Sequence, residues 1–261
     1  MPENKAPHWA QFRFYAELND LIAPIRRDRT FRYTFSGEPA VKDAIEALGV
    51  PHTEVELILV NGGPVNFQYQ LRSGDRVSVY PMFESLDIRP LLRLRPRPLR
   101  QPRFILDVHL GKLTRLMRLL GLDSVYRNDY DDETIVRISG RERRIILTRD
   151  RGLLKHAAVT HGYCVRSTKP SDQIVEVIRR FDLLGQIEPF GRCIRCNEKI
   201  EAVTLRQIQD RLPERIAAEP HDWRRCAGCG QIYWQGSHYH RMREWVERLV
   251  KRIHSESAGA V

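Results

Sequence analysis

The chain has 261 residues, 42% of them hydrophobic and 29% charged, and this composition predicts a globular protein of about two domains. It has no run of about 20 apolar residues and no signal-peptide pattern at its polar N-terminus, so we expect a cytoplasmic protein without a membrane partner. A net charge of +10, from 43 Lys and Arg against 33 Asp and Glu, favours a polyanionic partner such as nucleic acid.

Residues 8–88 are predicted to form a small mixed domain with the element order ββαββ. Its strand segments alternate apolar and polar residues, and its helical segment places apolar residues on one face. Asn61-Gly62 is a strong signal for a tight hairpin turn. The strands are predicted at 11–18, 29–37, 54–65 and 74–81, with the helix at 40–49.

Residues 89–102 are rich in arginine and proline and contain no acidic residue. Prolines spaced in this way prevent a regular helix, so we expect a linker or extended arm. Its arginines, among them Arg93, Arg95 and Arg97, either keep a stiff connector solvated or contact the phosphates of a nucleic acid.

Residues 103–187 alternate short apolar strands with helices, which predicts an α/β domain with a mostly parallel sheet. Asp107 directly follows the first strand, and Asp150 directly follows the strand at 145–148. The carboxyl ends of parallel strands form the ligand-binding edge of such a sheet, so both acids are expected there. The helices are predicted at 110–121, 131–139, 151–160 and 171–185, the last with Ser171 as its N-cap.

Further acids are predicted near the same edge, because helices that follow strands begin there. Asp132 is the main candidate, although an aspartate in the first turn can equally be a helix cap. Asp131 and Asp129 are close rivals for the same role, and Asp172 is a further candidate. Carboxylates gathered at one point repel each other unless a cation neutralises them, and oxygen ligands suit Mg²⁺ or Mn²⁺. Such a site can cleave a phosphodiester.

Basic residues accompany these acids. On the helix after Asp107 they recur every third residue, and two arginines flank Asp150. A solvated basic surface explains such a pattern, and so does phosphate binding. The candidate nucleic-acid-binding residues are Lys112, Arg115, Arg118, Arg149 and Arg151, together with the three arginines of the linker.

Residues 188–252 are predicted to form a zinc ribbon followed by a C-terminal helix, and residues 253–261 a disordered tail. Two C-x-x-C pairs can supply four thiolates to one Zn²⁺, and a closed set of four protein ligands indicates a structural metal. Redox dithiols and an iron–sulfur cluster are the weaker alternatives, and His238 and His240 are rival ligands. The predicted ligands are Cys193, Cys196, Cys226 and Cys229, and Cys164 is expected to be a buried small hydrophobe.

The segments "FILDVHLGKLTRLMRLLG", "NDYDDETIVRI", "RRIILTRDRGLL", "RCIRCN" and "CAGCGQIYWQGSH" resemble, in that order, the RNase domain named after the C-terminus of the mutator-seven exonuclease. That family resembles PIN-domain nucleases with an appended zinc ribbon. The resemblance implies a three-layer α/β fold and metal-dependent cleavage of RNA. It also implies that Asp107, Asp132 and Asp150 occupy the acidic positions of the site.

The pattern of the N-terminal domain resembles the ubiquitin-like β-grasp fold that often precedes this RNase family. Its "NGGP" turn is similar to a hairpin of small sulfur carriers, but those carriers end the chain on Gly-Gly, whereas Gly62-Gly63 lies inside the domain. We therefore expect this domain to bind RNA or a partner protein. Two alternatives to a ribonuclease remain open: a non-catalytic RNA-binding adaptor, and a protein-interaction module that acts through the β-grasp domain.

Overall fold

The computed structural model describes residues 7–81, 102–217 and 221–258. Within them the chain forms two compact units: the first joins residues 7–81 to 139–164, and the second comprises 102–138 and 165–258. The predicted contacts of Arg93, Arg95 and Arg97 fall in the linker, outside the described residues.

The first unit contains a five-stranded mixed sheet and one helix from the N-terminal domain. These elements are β1 (His8–Phe14), β2 (Phe31–Phe35), α1 (Val41–Ala47), β3 (Leu57–Val60), β4 (Gly63–Val65) and β5 (Arg76–Tyr80). The strand order is β2-β1-β5-β3-β4, with β1 and β5 parallel and the other neighbours antiparallel. This arrangement confirms the β-grasp fold. The predicted order ββαββ has one strand too few, because the hairpin segment forms two strands, β3 and β4.

The hairpin between β3 and β4 turns at the predicted residues. Asn61 and Gly62 have φ angles of 52° and 87°, and Val60 lies opposite Gly63. Positive φ at both central residues defines the type I′ turn that joins twisted antiparallel strands most easily. Gly62 and Gly63 are therefore structural residues of a hairpin, as expected from their place inside the domain.

The chain then enters the second unit, where strands and helices alternate. The elements are β6 (Phe104–Leu106), α2 (Gly111–Leu119), β7 (Ser124–Val125) and α3 (Asp132–Glu142), of which the residues up to Ile138 belong to this unit. Strands β6 and β7 pair in parallel, with Phe104 opposite Ser124. All three residues of β6 are buried, which is typical of a strand that is covered on both faces.

Residues 139–164 belong to the first unit and carry β8 (Ile145–Thr148), α4 (Arg151–Lys155) and β9 (Gly162–Cys164). Strands β8 and β9 are parallel and wholly buried. The parallel pairs and their helices confirm the predicted α/β class. Helix α4 is shorter than the predicted 151–160, because His156 adopts an extended backbone with ψ of 130° that ends the helix.

Buried polar contacts attach this segment to the β-grasp part of the same unit. The backbone N–H of Cys164 donates to a carboxylate oxygen of Glu54, which is fully buried. The His52 ring contacts the carbonyl oxygen of Val159 through Nε2 at 2.8 Å. Loss of a buried hydrogen bond leaves a polar group without a partner, so these contacts favour the attachment of the segment.

The rest of the second unit contains a small antiparallel sheet in the order β10-β11-β12. Its elements are α5 (Pro170–Arg180), β10 (Ile200–Ala202), α6 (Glu214–Ala217), β11 (Arg224–Cys226), β12 (Ile232–Tyr233) and α7 (Ser237–Ala258). Pro170 starts α5 and Lys169 occupies the cap position, so the prediction of Ser171 as N-cap was wrong. Helix α7 continues to Ala258, past the predicted start of the tail at 253. In the described part of the chain, no helix has the length and apolar character needed to cross a membrane.

Candidate active site and metal centre

Asp107 follows β6 directly, at the carboxyl end of that strand. It is 6% exposed, and its carbonyl oxygen accepts the N–H of Leu110 in a short 3₁₀ turn. The hydroxyl of Tyr126 donates to the carbonyl oxygen of Val108 at 3.0 Å. Gly111 permits this approach, because a Cβ there would lie 2.7 Å from the Tyr126 hydroxyl oxygen. The strand end and this braced turn together set the place of the Asp107 carboxylate.

Two adjacent aspartates precede α3, and they have different roles. Oδ1 of Asp131 accepts the backbone N–H of Thr134 at 2.8 Å, which makes Asp131 the helix cap. Hydrogen bonds from the side chain and the backbone of Thr134 lower the pKa of the Asp131 carboxyl below its ordinary value. Asp132 is exposed and is the first residue of the helix proper. Asp131 therefore caps α3, a role that the sequence also allowed for Asp132.

Asp150 follows β8 and caps α4. Its Oδ1 accepts the N–H of Gly152 at 2.7 Å, and its own N–H donates to Oγ1 of the buried Thr148 at 2.9 Å. One carboxylate oxygen therefore has a structural role, which is compatible with metal binding through the other. The joint action of Asp107, Asp132 and Asp150 on one metal stays a prediction.

Asp172, the remaining predicted acid, takes part in a surface ion pair. Its Oδ1 lies 3.2 Å from an Nη atom of Arg252 on α7, and both side chains are exposed. The contact joins the start of α5 to the C-terminal helix. Its place as an additional metal ligand stays a prediction.

Four of the predicted basic residues have exposed side chains: Lys112, Arg115, Arg149 and Arg151. Arg151 differs from the other three because its guanidinium donates to the carbonyl oxygen of Leu21 at 2.7 Å, inside the first unit. This bond places the Arg151 guanidinium at the backbone of the β-grasp domain. The Leu21 carbonyl oxygen therefore competes with an RNA phosphate, the predicted ligand, for the same guanidinium.

Arg118 does not belong to the predicted basic surface. It is 4% exposed, and it donates to the backbone oxygens of Ser124 at 2.9 Å, Ile194 at 3.3 Å and Arg195 at 2.8 Å. Burial lowers the pKa of the guanidinium, while Cys196 and Cys193 oppose that shift. The side chain ties α2 and β7 to the first cysteine pair, so its prediction as a nucleic-acid ligand was wrong.

The four predicted cysteines converge. Their Sγ atoms all lie within 4.8 Å of one another, with Cys193 3.6 Å from Cys229 and Cys196 3.3 Å from Cys226. A tetrahedral ion with Zn–S bonds of about 2.3 Å needs sulfur atoms about 3.8 Å apart, so the spacing fits such a metal. Within residues 7–81, 102–217 and 221–258, the two pairs thus form a site able to hold a metal ion.

The thiols differ in acidity because their surroundings differ. Burial opposes ionisation of Cys193, but hydrogen bonds from the hydroxyl of Tyr233 and from the backbone of Cys196 and Arg195 outweigh it and lower its pKa to about 7. Burial raises the pKa of Cys226 to about 12. The Tyr233 hydroxyl lies 3.0 Å from Sγ of Cys193. This contact was not predictable from the sequence, because 40 residues separate Tyr233 from Cys193 in the chain.

Asn197, directly after the first cysteine pair, anchors that pair to β7. Its Oδ1 accepts the N–H of Ser124 and its Nδ2 donates to Asp123, both at 2.8 Å. Asn197 has a φ of 78°, a conformation that asparagine tolerates better than most residues. The choice of asparagine directly after the first cysteine pair was therefore the feature of the sequence from which this turn conformation could have been predicted.

The two histidines predicted as rival ligands lie outside the cysteine group, and Trp234, which follows the second cysteine pair, has a packing role. His238 and His240 lie in the exposed first turn of α7, outside the cysteine group. Trp234 packs against a buried cluster that contains Trp223 and Ile232. The group that could hold a metal thus contains the four cysteines and neither histidine.

Residues 102–246 match the Mut7-C RNAse domain, and residues 8–87 match the Mut7-C ubiquitin domain. Two crystal structures of the small archaeal modifier protein SAMP1 of Haloferax volcanii are similar to part of the chain, at 19% and 20% identity. They cover 30% and 28% of this chain and 98% and 97% of their own, with TM-scores of 0.25 and 0.24. No curated protein matches the chain.

The RNAse match spans more than half of the 261 residues and includes the strand ends that carry Asp107 and Asp150 and both cysteine pairs. It begins at residue 102 and runs to residue 246, so it includes both the segment of alternating strands and helices and the cysteine pairs. The separate N-terminal match covers the β-grasp sheet. This chain therefore belongs to the Mut7-C RNAse domain family and carries a Mut7-C ubiquitin domain ahead of the RNAse domain.

Proposed function

We propose that this protein is a metal-dependent endoribonuclease of PIN type that hydrolyses phosphodiester bonds in RNA. The observation that carries the proposal is the family match over residues 102–246, which contain an aspartate directly after β6 and another directly after β8. Ligands of α/β domains bind beyond the carboxyl ends of the strands, where these two acids lie.

Asp107, Asp132 and Asp150 would hold Mg²⁺ or Mn²⁺, because carboxylate oxygens are the donors that these cations prefer. When bound, such a cation supplies an activated water and neutralises charge at the phosphate. Asp107 contributes a positioned carboxylate at the end of a buried strand, and Asp150 keeps one oxygen on the α4 cap. The exposed Lys112, Arg115 and Arg149 would contact the RNA phosphates.

The four cysteines would hold a structural Zn²⁺. The donor set is all sulfur and its spacing suits a tetrahedral ion, so it leaves no position for substrate or water. Thiols that bind zinc must stay reduced, which supports a cytoplasmic location.

The test is cleavage of single-stranded and structured RNA with Mn²⁺ added or omitted. We expect cleavage by the wild type with the metal, and a rate lower by about a hundredfold or more in Asp107→Asn and Asp150→Asn. Asp28→Asn and Asp182→Asn are matched controls, because both aspartates are exposed and have positive φ angles that asparagine accepts. Both controls should cut as fast as the wild type.

Two results would overturn the proposal. If the wild type binds RNA but does not cut it under any of these conditions, the protein is an RNA-binding adaptor. If both site variants cut as fast as the controls, the activity does not arise at these aspartates.

A further inference from the structure

The five-stranded sheet of the first unit has one face that is polar, aromatic and basic. Side chains alternate along a strand, and Phe12, Phe14, Val77 and Val79 are buried on the opposite side. Strand pairing aligns the residues between them on the other side. We call this side the outer face; it carries Trp9, Gln11, Arg13, Arg32, Thr34, Leu57, Leu59, Pro64, Arg76, Ser78 and Tyr80, with Tyr15 at its end.

The charge of the outer face has a single sign. None of the five strands contains an aspartate or a glutamate, and their charged residues are Arg13, Arg32 and Arg76. All three are exposed, and none of them forms an ion pair with any residue in the described part of the chain. Three arginines on one face that form no ion pair with a described residue are a favourable surface for a polyanion.

The register groups these arginines closely. Gln11 lies opposite Arg32 on one neighbouring strand and opposite Arg76 on the other. Adjacent strands are about 4.8 Å apart, so the two arginine backbones lie about 10 Å apart. Arg13 lies two residues further along the middle strand, on the same face. A flexible chain of phosphates can reach all three.

Aromatic rings accompany the arginines. The guanidinium of Arg32 lies 4.5 Å from the ring centre of Trp9, and that of Arg13 lies 5.1 Å from the ring centre of Tyr15. Tyr15 in turn stacks on Tyr80, with ring centres 4.3 Å apart and an angle of 11° between the rings. Cation–π contacts of this kind hold the flat guanidinium groups in place, so less entropy is lost when they bind a ligand.

We propose that the outer face binds single-stranded RNA. Open sheets that combine positive charge with aromatic rings are the usual platform for unpaired bases, which stack on rings and guanidinium planes while arginines contact the phosphates. The inference rests on the proposed function, in which RNA is the substrate, and it assigns substrate capture to the ubiquitin-like domain. A protein partner is the competing occupant. The strands contain no acidic residue, and three exposed residues of this face are arginines, which favours RNA.

The test measures RNA binding without cleavage. The full chain carrying Asp107→Asn is titrated with a fluorescent single-stranded RNA at several salt concentrations, with Mg²⁺ and Mn²⁺ omitted. No chelator is added, because it would remove metal from the cysteines. The test variant combines R13Q, R32Q and R76Q. Each phosphate contact contributes about 0.7 to the slope of log K against log salt on a single strand, so we expect a slope shallower by about 2 and an affinity about tenfold lower at low salt.

A charge-matched control combines R29Q, K42Q and R72Q, which removes three positive charges from the same domain outside the strands. We expect it to keep the wild-type slope. Trp9→Leu separates stacking from charge, since it should weaken binding about fivefold without changing the slope. RNA containing 4-thiouridine, cross-linked by light, should attach to peptides from β1 or β5.

Several outcomes would overturn the proposal. The first is that the test variant keeps the wild-type affinity and slope, in which case the face fits a protein partner. The second is that the control variant loses as much slope as the test variant, since the effect is then one of net charge. The third is that the wild type does not bind single-stranded RNA. Failure of the ribonuclease proposal is distinct, because a protein that binds RNA through this face without cutting it leaves the inference intact.

Discussion

The guanidinium of Arg118 donates a hydrogen bond to the backbone oxygen of Arg195 at 2.8 Å, between the two cysteines of the first pair. The same side chain reaches Ser124 and Ile194. A single buried arginine thus joins the helix after the candidate active-site strand to the first cysteine pair. Within the RNAse domain, this specific polar contact fixes the cysteine pair to the strand-and-helix part.

Replacement of Arg118 is expected to destabilise the second unit. Arg118→Gln removes hydrogen bonds to three carbonyl oxygens in a buried place, which should lower the free energy of unfolding by about 3 kcal/mol. Arg115→Gln, one turn earlier on the exposed side, should change it by less than about 0.5 kcal/mol. Urea denaturation followed by circular dichroism measures both. Equal stability of the two variants would contradict the structural role of Arg118.

The error in the prediction for Arg118 has a geometric cause. Residues 112, 115 and 118 recur every third position, but a helix turns about 100° per residue, so Arg118 lies about 120° from Lys112. That rotation carries Arg118 to the border of the buried face, next to Thr114.

The features that were predicted correctly depend on residues close together in the chain, such as the Asn61-Gly62 turn and each C-x-x-C pair. The partner of Arg151 was not predictable, because Leu21 is 130 residues away in the chain.

The cysteine group should hold one zinc ion per chain in protein purified without chelators. Cys193→Ser should lose the zinc and destabilise the second unit, because metal binding at such sites contributes directly to folding. Cys164→Ser is the matched control, since Cys164 is buried but lies outside the group, in the first unit. Elemental analysis of the purified proteins measures the metal content. Zinc-free wild-type protein, or zinc lost equally in both variants, would contradict the assignment.

The two aspartates at the start of α3 should separate stability from activity. Asp131→Ala removes the helix cap, so it should lower the melting temperature while cleavage at permissive temperature stays near the wild-type rate. Asp132→Asn should leave the melting temperature near that of the wild type and lower the cleavage rate. A melting temperature that falls only with Asp132→Asn, or a cleavage rate that falls only with Asp131→Ala, would reverse the assignment of the two residues.

The cap also predicts a pH dependence. Hydrogen bonds in the folded protein lower the pKa of Asp131, so its contribution to stability is fully present above the unfolded-state pKa of about 3.9 and is lost as the pH falls through the folded-state pKa. The difference in melting temperature between the wild type and Asp131→Ala should therefore be constant near neutral pH and shrink in strong acid. A difference that grows on acidification would contradict the cap.

Arg149 and Arg151 flank the same aspartate and should respond differently to the same substitution. Arg151→Gln loses the bond to the Leu21 carbonyl oxygen, so it should lower the free energy of unfolding by about 1 kcal/mol and change RNA affinity little. Arg149→Gln removes an exposed charge, so RNA affinity and its salt dependence should fall while stability stays unchanged. Fluorescence anisotropy and urea denaturation on both variants measure these effects. If Arg151→Gln weakens RNA binding as much as Arg149→Gln does, the arginine contacts phosphate in the complex and its bond to the β-grasp domain is exchanged when RNA binds.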